Sequence, residues 1–258
     1  MERWAVVTGA SGGIGLEIAR ELAQRGYALV LSARSADKLD ALAGQLHQAH
    51  GTRSLVAVAD LGRPGGADAL ARMVADAGIE PKVLVNNAGS GLFGAFAQAD
   101  PARTQETVEL NVAALTRLTS LLLPALLRQA PARILNVAST AAFQPGPGMA
   151  VYFASKAYVL SLGEALDAEL APHGVRVTTL CPGATQTGFQ ARAEGERSAL
   201  FQGRMASAAD VARYGVQAME QGRRVAVHGV VNQWLALGVK FSPRRLATAI
   251  AAWKMRSV

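Results

Sequence analysis

Trp4-Ala5-Val6-Val7-Thr8-Gly9-Ala10-Ser11-Gly12-Gly13-Ile14-Gly15 is the stretch that decides the fold. An apolar, β-rich run over Trp4–Thr8 passes directly into a glycine-rich turn, and helical spacing follows over Gly13–Arg25. Glycines let the backbone turn tightly and approach a pyrophosphate, whose charge meets the amides at a helix N-terminus. The spacing Gly9-x-x-x-Gly13-x-Gly15 differs from the Gly-x-Gly-x-x-Gly form of dinucleotide loop. Its place between the first strand and the first helix is what points to a nucleotide.

The same alternation continues along the chain. Further strands are predicted at Ala28–Ser32, Leu55–Ala59, Val83–Asn86, Arg133–Ala138 and Val175–Leu180, with a second helix over Ala36–Ala49. Near-continuous apolar strands imply burial on both faces, as in a parallel sheet covered by helices. Right-handed crossovers then give an α/β, doubly wound sheet with its ligands at the carboxyl ends of the strands. Two long stretches, Thr104–Arg128 and Met149–Leu170, carry few charges on any face and are candidates for packing on the sheet or against another subunit.

The second predicted strand ends Leu31-Ser32-Ala33-Arg34. An acidic residue here would bind a ribose 2′-hydroxyl and repel a 2′-phosphate. Ala33 followed by the Arg34 guanidinium suits the phosphate instead, and so favours NADP(H) over NAD(H). The alternative is a solvated arginine flanking a helix.

Tyr152-Phe-Ala-Ser-Lys156 follows Ser139 by thirteen residues. Four residues apart on a helix, a phenol and an ammonium share one face. A tyrosine ordinarily titrates near ~10, too high for efficient proton exchange at neutral pH. A fixed cation beside it is expected to lower that pKa, and a shift of about three units needs roughly 4 kcal/mol of differential stabilisation.

Composition sets the frame. With 258 residues, half of them apolar, the chain can bury a large core in one domain. Cys181 is the single cysteine and the four histidines are scattered, so neither a disulfide nor a metal site is expected. No uninterrupted apolar run reaches the ~18 residues that span a bilayer. The first strand begins near Arg3, leaving no room for a signal peptide, so a cytoplasmic protein is expected. The formal net charge of +7 is uneven: Met219–Val258 carries seven basic residues against Glu220, whereas the rest carries nineteen basic and eighteen acidic side chains. A nearly neutral body with one basic appendage argues against nucleic-acid binding.

Taken in order, Thr8-Gly-x-x-x-Gly-x-Gly15, Asp60-Leu61, Asn86-Asn87-Ala88-Gly89, Asn111, Ser139, Tyr152-x-x-x-Lys156 and Pro182-Gly183 resemble the short-chain dehydrogenase/reductase family. The resemblance is close from Arg3 to Thr187 and looser beyond. It implies a single Rossmann-type domain, 1–258, with about seven strands and helices on both faces. By that resemblance Gly9, Ser11, Gly13 and Gly15 form the pyrophosphate turn and Ile14 offers a backbone amide. Asp60 reaches the adenine amino group beside Leu61, and Asn87, Ala88 and Gly89 line the cofactor. Pro182, Gly183, Thr185 and Thr187 hold the nicotinamide carboxamide. Asn111 distorts its helix and supports a water that connects the lysine to solvent.

The implied reaction is NADP(H)-dependent interconversion of a carbonyl compound and its alcohol, with Asn111, Ser139, Tyr152 and Lys156 catalytic. The alternatives are a 3-oxoacyl-thioester reductase and a non-catalytic dinucleotide-binding regulator. Substrate contacts are expected from Ala141–Met149, with Phe143, Gln144 and Met149, and from a lid over 188–205 containing Phe189, Leu200 and Phe201. Phe93 and Phe96 are further candidates for an apolar wall. Family resemblance implies a homodimer or homotetramer through Thr104–Arg128 and Met149–Leu170. Finally, 230–258 reads as a helical extension with Leu246, Ala249, Ile250 and Trp253 at helical spacing. It is open to three readings: a cover for the cleft or a subunit interface, a contact to an anionic membrane surface, or a loosely attached end.

Overall fold

The computed structural model describes residues 2–189, 193 and 205–254. β1 (Trp4–Thr8) leads into α1 (Gly13–Gln24), β2 (Ala28–Ala33), α2 (Ala36–His50), β3 (Ser54–Val58), α3 (Gly66–Asp76) and β4 (Pro81–Asn86). The second half runs α4 (Pro101–Val108), α5 (Ala114–Arg128), β5 (Ala132–Val137), α6 (Ala150–Leu170) and β6 (Val175–Cys181). Short strands β7 (Thr185–Gln186) and β8 (Ala206–Ser207) pair with each other; α7 (Ala208–Glu220), β9 (Val225–Val227), α8 (Val230–Phe241) and α9 (Arg244–Lys254) follow.

Seven strands form one sheet in the order β3-β2-β1-β4-β5-β6-β9. All six pairings are parallel. The order reverses between β1 and β4, and a crevice opens outside the carboxyl ends of those two strands. Side-chain alternation divides the core between the two faces. Ala5 and Val7 of β1, with Leu29 and Leu31 of β2, meet Ile18 and Leu22 of α1, Leu39 of α2 and Val216 of α7. Val6, Val30 and Leu84 point the other way, onto Leu70 of α3 and Leu118, Leu122 and Leu126 of α5. This is the doubly wound Rossmann-type sheet that the strand pattern predicts.

Within the helical run Pro101–Arg128, an 18-residue window has a mean hydropathy of 1.6, enough to cross a bilayer by length and composition alone. Its apolarity is used inside the protein: Leu118, Leu122 and Leu126 are sealed against the sheet.

A polar seam crosses the apolar interior. Asn86 Nδ2 donates to Thr119 Oγ1 and to Asn136 Oδ1, both at 2.9 Å. Asn136 pairs in register with Thr179, yet Asn136 Nδ2 and Thr179 Oγ1 have no hydrogen-bond partner. α6 crosses them at Gly163, where a Cβ would overlap Thr179 Oγ1. Further along α6, buried Asp167 accepts from Arg176 Nε at 2.8 Å, from the Val177 amide at 2.9 Å and from Arg224 Nε at 3.2 Å. Burial pushes its pKa up, but these hydrogen bonds outweigh that and hold the carboxyl below its ordinary range. One carboxylate thus ties α6 to β6 and to the segment entering β9.

Gly163→Ala should destabilise the protein by about 1–3 kcal/mol, the usual cost of overpacking a tight core. Adding Thr179→Ala should recover most of that loss, read from urea midpoints of the single and double variants. Simple additivity would show that Thr179 is not the obstacle.

Candidate active site

A cleft of about 700 Å³ lies along the carboxyl ends of the strands. Its floor is set where β1 meets β4. Thr8 Oγ1 donates to the Val85 carbonyl at 3.1 Å and accepts from the Asn87 and Ala88 amides at 3.0 and 3.1 Å. Asn87 Nδ2 donates in turn to the Thr8 and Gly9 carbonyls at 2.9 and 3.3 Å. The Asn87 side chain therefore holds the glycine turn in place as well as bordering the cleft. Gly9 has φ +66° and Gly13 φ +58°, conformations that favour glycine. Gly15 does not line the cleft; a Cβ there would run into Asn87 Nδ2 and the Gly9 carbonyl.

These residues fit a dinucleotide. α1 begins without a side-chain cap and without an acidic residue in its first turn, and Gly12, Gly13 and Ile14 border the cleft. Uncapped amides at a positive helix end attract phosphate. At one end of the cleft stand Ser32, Ala33, Arg34, Lys38, Asp60 and Leu61. Arg34 Nη1 lies 3.5 Å from Glu106 Oε1, and Asp60 Oδ1 accepts from the Gly62 amide at 3.0 Å. Ser32 Oγ is buried with no partner and borders the same end. Lys38, Ser32 and Glu106 were missed from sequence, because a lysine in a surface helix carries no signal of where its ammonium reaches.

The other end gathers Ser139, Tyr152 and Lys156 from β5's exit and from α6, and Pro182, Gly183, Thr185 and Thr187 also line the cleft, with the Pro182 carbonyl 3.4 Å from Ser139 Oγ. Lys156 is buried, and its Nζ donates to the Val137 carbonyl at 2.8 Å, 5.8 Å from the Tyr152 ring centre. Burial lowers its pKa to about 8. Tyr152 goes the opposite way from the sequence expectation: burial raises its pKa, only partly offset by a hydrogen bond with Ser139. The reason is that Lys156 spends its ammonium on a main-chain carbonyl, so desolvation dominates at the phenol. Burial pushes the thiol of Cys181 up to about 12, which keeps it protonated at neutral pH.

Asn111 sits in a π-helical turn over Glu109–Ala113, between α4 and α5. Distortion of the helix is the expected feature there, and the side chain is committed to bonds within the protein. Asn111 Nδ2 donates to the Ser90 carbonyl and to Ser155 Oγ, and Oδ1 accepts from the Ser90 amide, each at 2.9 Å. The amide group is fully engaged and does not border the cleft. Ser155 Oγ donates onward to the Tyr152 carbonyl at 2.7 Å, so Asn111 braces the turn of α6 that carries the phenol. Gly89 keeps the adjoining loop thin, since a Cβ there would sit 3.3 Å from Asn111 Oδ1 and 3.4 Å from Lys156 Nζ.

Beside the phenol the wall is apolar. Met149, Phe153, Phe93 and Phe189 cluster with Tyr152, whose ring centre is 5.2 Å from that of Phe189. Gln144 adds a polar group. Two expected wall residues are elsewhere: half-buried Phe143 packs against the cluster of Leu115 and Val159, and Phe96 is exposed at the surface. Leu200, Phe201 and most of the expected 188–205 lid lie outside the described residues. α9 contributes Ala251 to the cleft lining, so the C-terminal extension covers part of the site.

The family described as short chain dehydrogenase matches residues 3–198. The chain belongs to that family. Over 184 residues this family member is 37% identical to a very-long-chain 3-oxoacyl-CoA reductase of Anas platyrhynchos, covering 69% of the chain and 58% of the duck protein's length. An uncharacterized oxidoreductase of Staphylococcus epidermidis is 33% identical over 230 residues, 89% of this chain and 96% of that one. Among solved structures, a short-chain dehydrogenase from Sphingobium yanoikuyae in complex with NADPH superposes with a TM-score of 0.83 at 33% identity, covering 93% of both chains. L-sorbose reductase from Gluconobacter frateurii, complexed with NADPH and L-sorbose, gives 0.76 at 28% identity over 88% of this chain and 94% of that one.

Lys156 is positively charged below its pKa of about 8 and loses that charge as pH rises through it. kcat/KM for carbonyl reduction should therefore fall on a basic limb near that value. Lys156→Arg keeps the cation at all accessible pH, so any activity it retains should lack the limb. A wild-type profile without a basic limb would remove Lys156 from the rate-determining ionisation.

Proposed function

We propose that this short-chain dehydrogenase is an NADP(H)-dependent oxidoreductase that interconverts a carbonyl compound and its alcohol. One observation carries the reading: Ser139, Tyr152 and Lys156 converge at one end of a cleft whose other end presents Arg34 and Lys38. The two cations suit a 2′-phosphate, and the residues that end β2, Ala33 and Arg34, include no acidic side chain to bind a 2′-hydroxyl in its place; the nearest carboxylate, Glu106, pairs with Arg34. NADPH and NADP complexes among the solved relatives support the same cofactor. Gly9, Ser11, Gly13 and Ile14 would hold its pyrophosphate, Asp60 and Leu61 its adenine, and Asn87, Ala88 and Gly89 the middle of the molecule. Thr185 and Thr187, with Pro182 and Gly183, would take the carboxamide.

When bound, NADPH supplies the hydride that adds to the substrate's carbonyl carbon. The chain manages the oxygen. Ser139 and Tyr152 hydroxyls donate hydrogen bonds to it, stabilising negative charge as it develops. The raised pKa of Tyr152 keeps the phenol protonated at neutral pH, which suits it to give its proton to that oxygen. The Lys156 ammonium then stabilises the phenolate. Asn111 and Ser155 hold the phenol's backbone in place. In the reverse direction the same groups accept the alcohol's proton.

The apolar wall favours a carbonyl with an apolar or mixed-polarity substituent. Its alternative, a 3-oxoacyl thioester, draws support from the name of the Anas platyrhynchos relative. A cytoplasmic setting accords with the lone, buried Cys181. Self-association as a dimer or tetramer would use the outward faces of α5 and α6, where Tyr158 is exposed and bonded to Thr116 at 2.9 Å.

NADPH oxidation across ketones, aldehydes, 3-oxoacyl-CoA thioesters and sugars should reveal turnover with the first or third class. Tyr152→Phe should cut kcat by about 10²–10⁴-fold, the usual contribution of a general acid, while NADPH titration shows little change in affinity. Turnover near the wild-type level would discard this mechanism. A protein that binds NADPH but turns over nothing would instead be a non-catalytic dinucleotide-binding regulator. Arg34→Ala should raise KM for NADPH by about tenfold and leave KM for NADH unchanged, each charged contact to phosphate contributing roughly 1.5–3 kcal/mol at most. Clear NADH preference in wild type would reverse the cofactor assignment.

A further inference from the structure

Nine of the thirteen exposed large apolar side chains among the described residues lie on α8 and α9. On α8, Trp234, Leu237 and Phe241 recur at helical spacing and face solvent, with Trp234 69% and Phe241 83% exposed. On α9, Leu246, Ile250 and Trp253 form a second outward stripe, with Trp253 67% exposed. Each helix turns its small residues inward. Ala236 is buried on α8, where Asn232 closes on Gly183, and Ala247 and Ala251 are buried on α9. A helix on a water-facing surface ordinarily shows the reverse arrangement, polar out and apolar in.

The rim of this apolar surface is cationic. Lys240, Arg244 and Arg245 are exposed beside it, and no acidic residue follows Glu220 in the chain. We infer that the outer face of α8 and α9 docks on an anionic lipid bilayer, with the tryptophans and phenylalanine in the headgroup region and the arginines and lysine on its phosphates. Exposed Trp, Phe and Leu beside Lys and Arg is the composition of helices that lie in a membrane interface, where apolar burial and attraction to anionic lipid add. A second copy of this chain is the poorer occupant. A two-fold contact would set this face against itself, bringing two cationic rims together with no acidic partner from the same segment. Docking in this way places the cleft, which Ala251 borders from the inner side of α9, next to the lipid surface. The inference does not depend on the catalytic reading.

The test uses the full-length protein with phosphatidylcholine vesicles, with and without phosphatidylglycerol. Cosedimentation at low salt should capture the protein on phosphatidylglycerol vesicles and at least about tenfold less on phosphatidylcholine alone, and added salt should release it as the charges are screened. Tryptophan emission should shift to the blue on binding. Trp234→Asp with Phe241→Asp should abolish capture while circular dichroism and the size in solution stay as in wild type. Arg244→Glu with Arg245→Glu should abolish the preference for phosphatidylglycerol, an independent readout should the first variant fold poorly. Absence of binding to either vesicle at low salt would overturn the inference. So would conversion of an oligomer to a smaller species by the aspartate variant, because the face would then be an interface between copies.

Discussion

At the point where the strand order reverses, one threonine hydroxyl joins two strands that are distant in sequence. Thr8 Oγ1 bonds Val85 of β4 and receives both amides that follow that strand, while Asn87 reaches back to the carbonyls of the glycine turn. Loosening this join would let the ends of β1 and β4 part. The turn's left-handed glycines, the uncapped start of α1 and the loop that ends at Gly89 would all lose their mutual register. A binding crevice at a switch point is a property of the topology, but its width here is set by these few bonds.

The reactive end shows how burial and charge compete. A lysine with a 6% exposed surface is costly to keep charged, and its pKa falls accordingly to about 8. The main-chain carbonyl of Val137 is what compensates it, at 2.8 Å. That bond draws the ammonium toward the sheet and leaves the phenol dominated by its own desolvation. Tyrosine and lysine therefore move toward their uncharged forms together, a state suited to proton donation by the phenol. Asn111, Ser90 and Ser155 supply rigidity behind them through a chain of hydrogen bonds to the turn of α6 that carries the phenol.

Away from the sheet, the C-terminal helices serve two surfaces at once. Alanines and an asparagine, small enough for close approach, face Gly183 and the cleft, and bulky apolar groups face outward. The sequence pattern over Leu246, Ile250 and Trp253 marked an amphipathic helix without telling which side would meet the protein. In α9 the stripe that reads as a buried face is the exposed one, and the buried positions are held by Ala247 and Ala251.

The amino-acid order alone determined the alternation of strands and helices, the glycine turn, and the identity and order of Ser139, Tyr152 and Lys156. Those features are local: strand burial, turn geometry and residue type leave their mark within a few positions. Predicted strand boundaries fell within one residue of those observed, except that β4 begins two residues earlier, at Pro81. The tertiary structure decided what depends on distance through space. It placed Lys38 and Glu106 beside Arg34, packed Phe143 against the cluster of Leu115 and Val159, turned the Asn111 amide away from the cleft and set the direction of the Tyr152 shift. Each of these is fixed by a neighbour from another element, and electrostatic balance in a buried site follows those neighbours rather than the spacing along the chain.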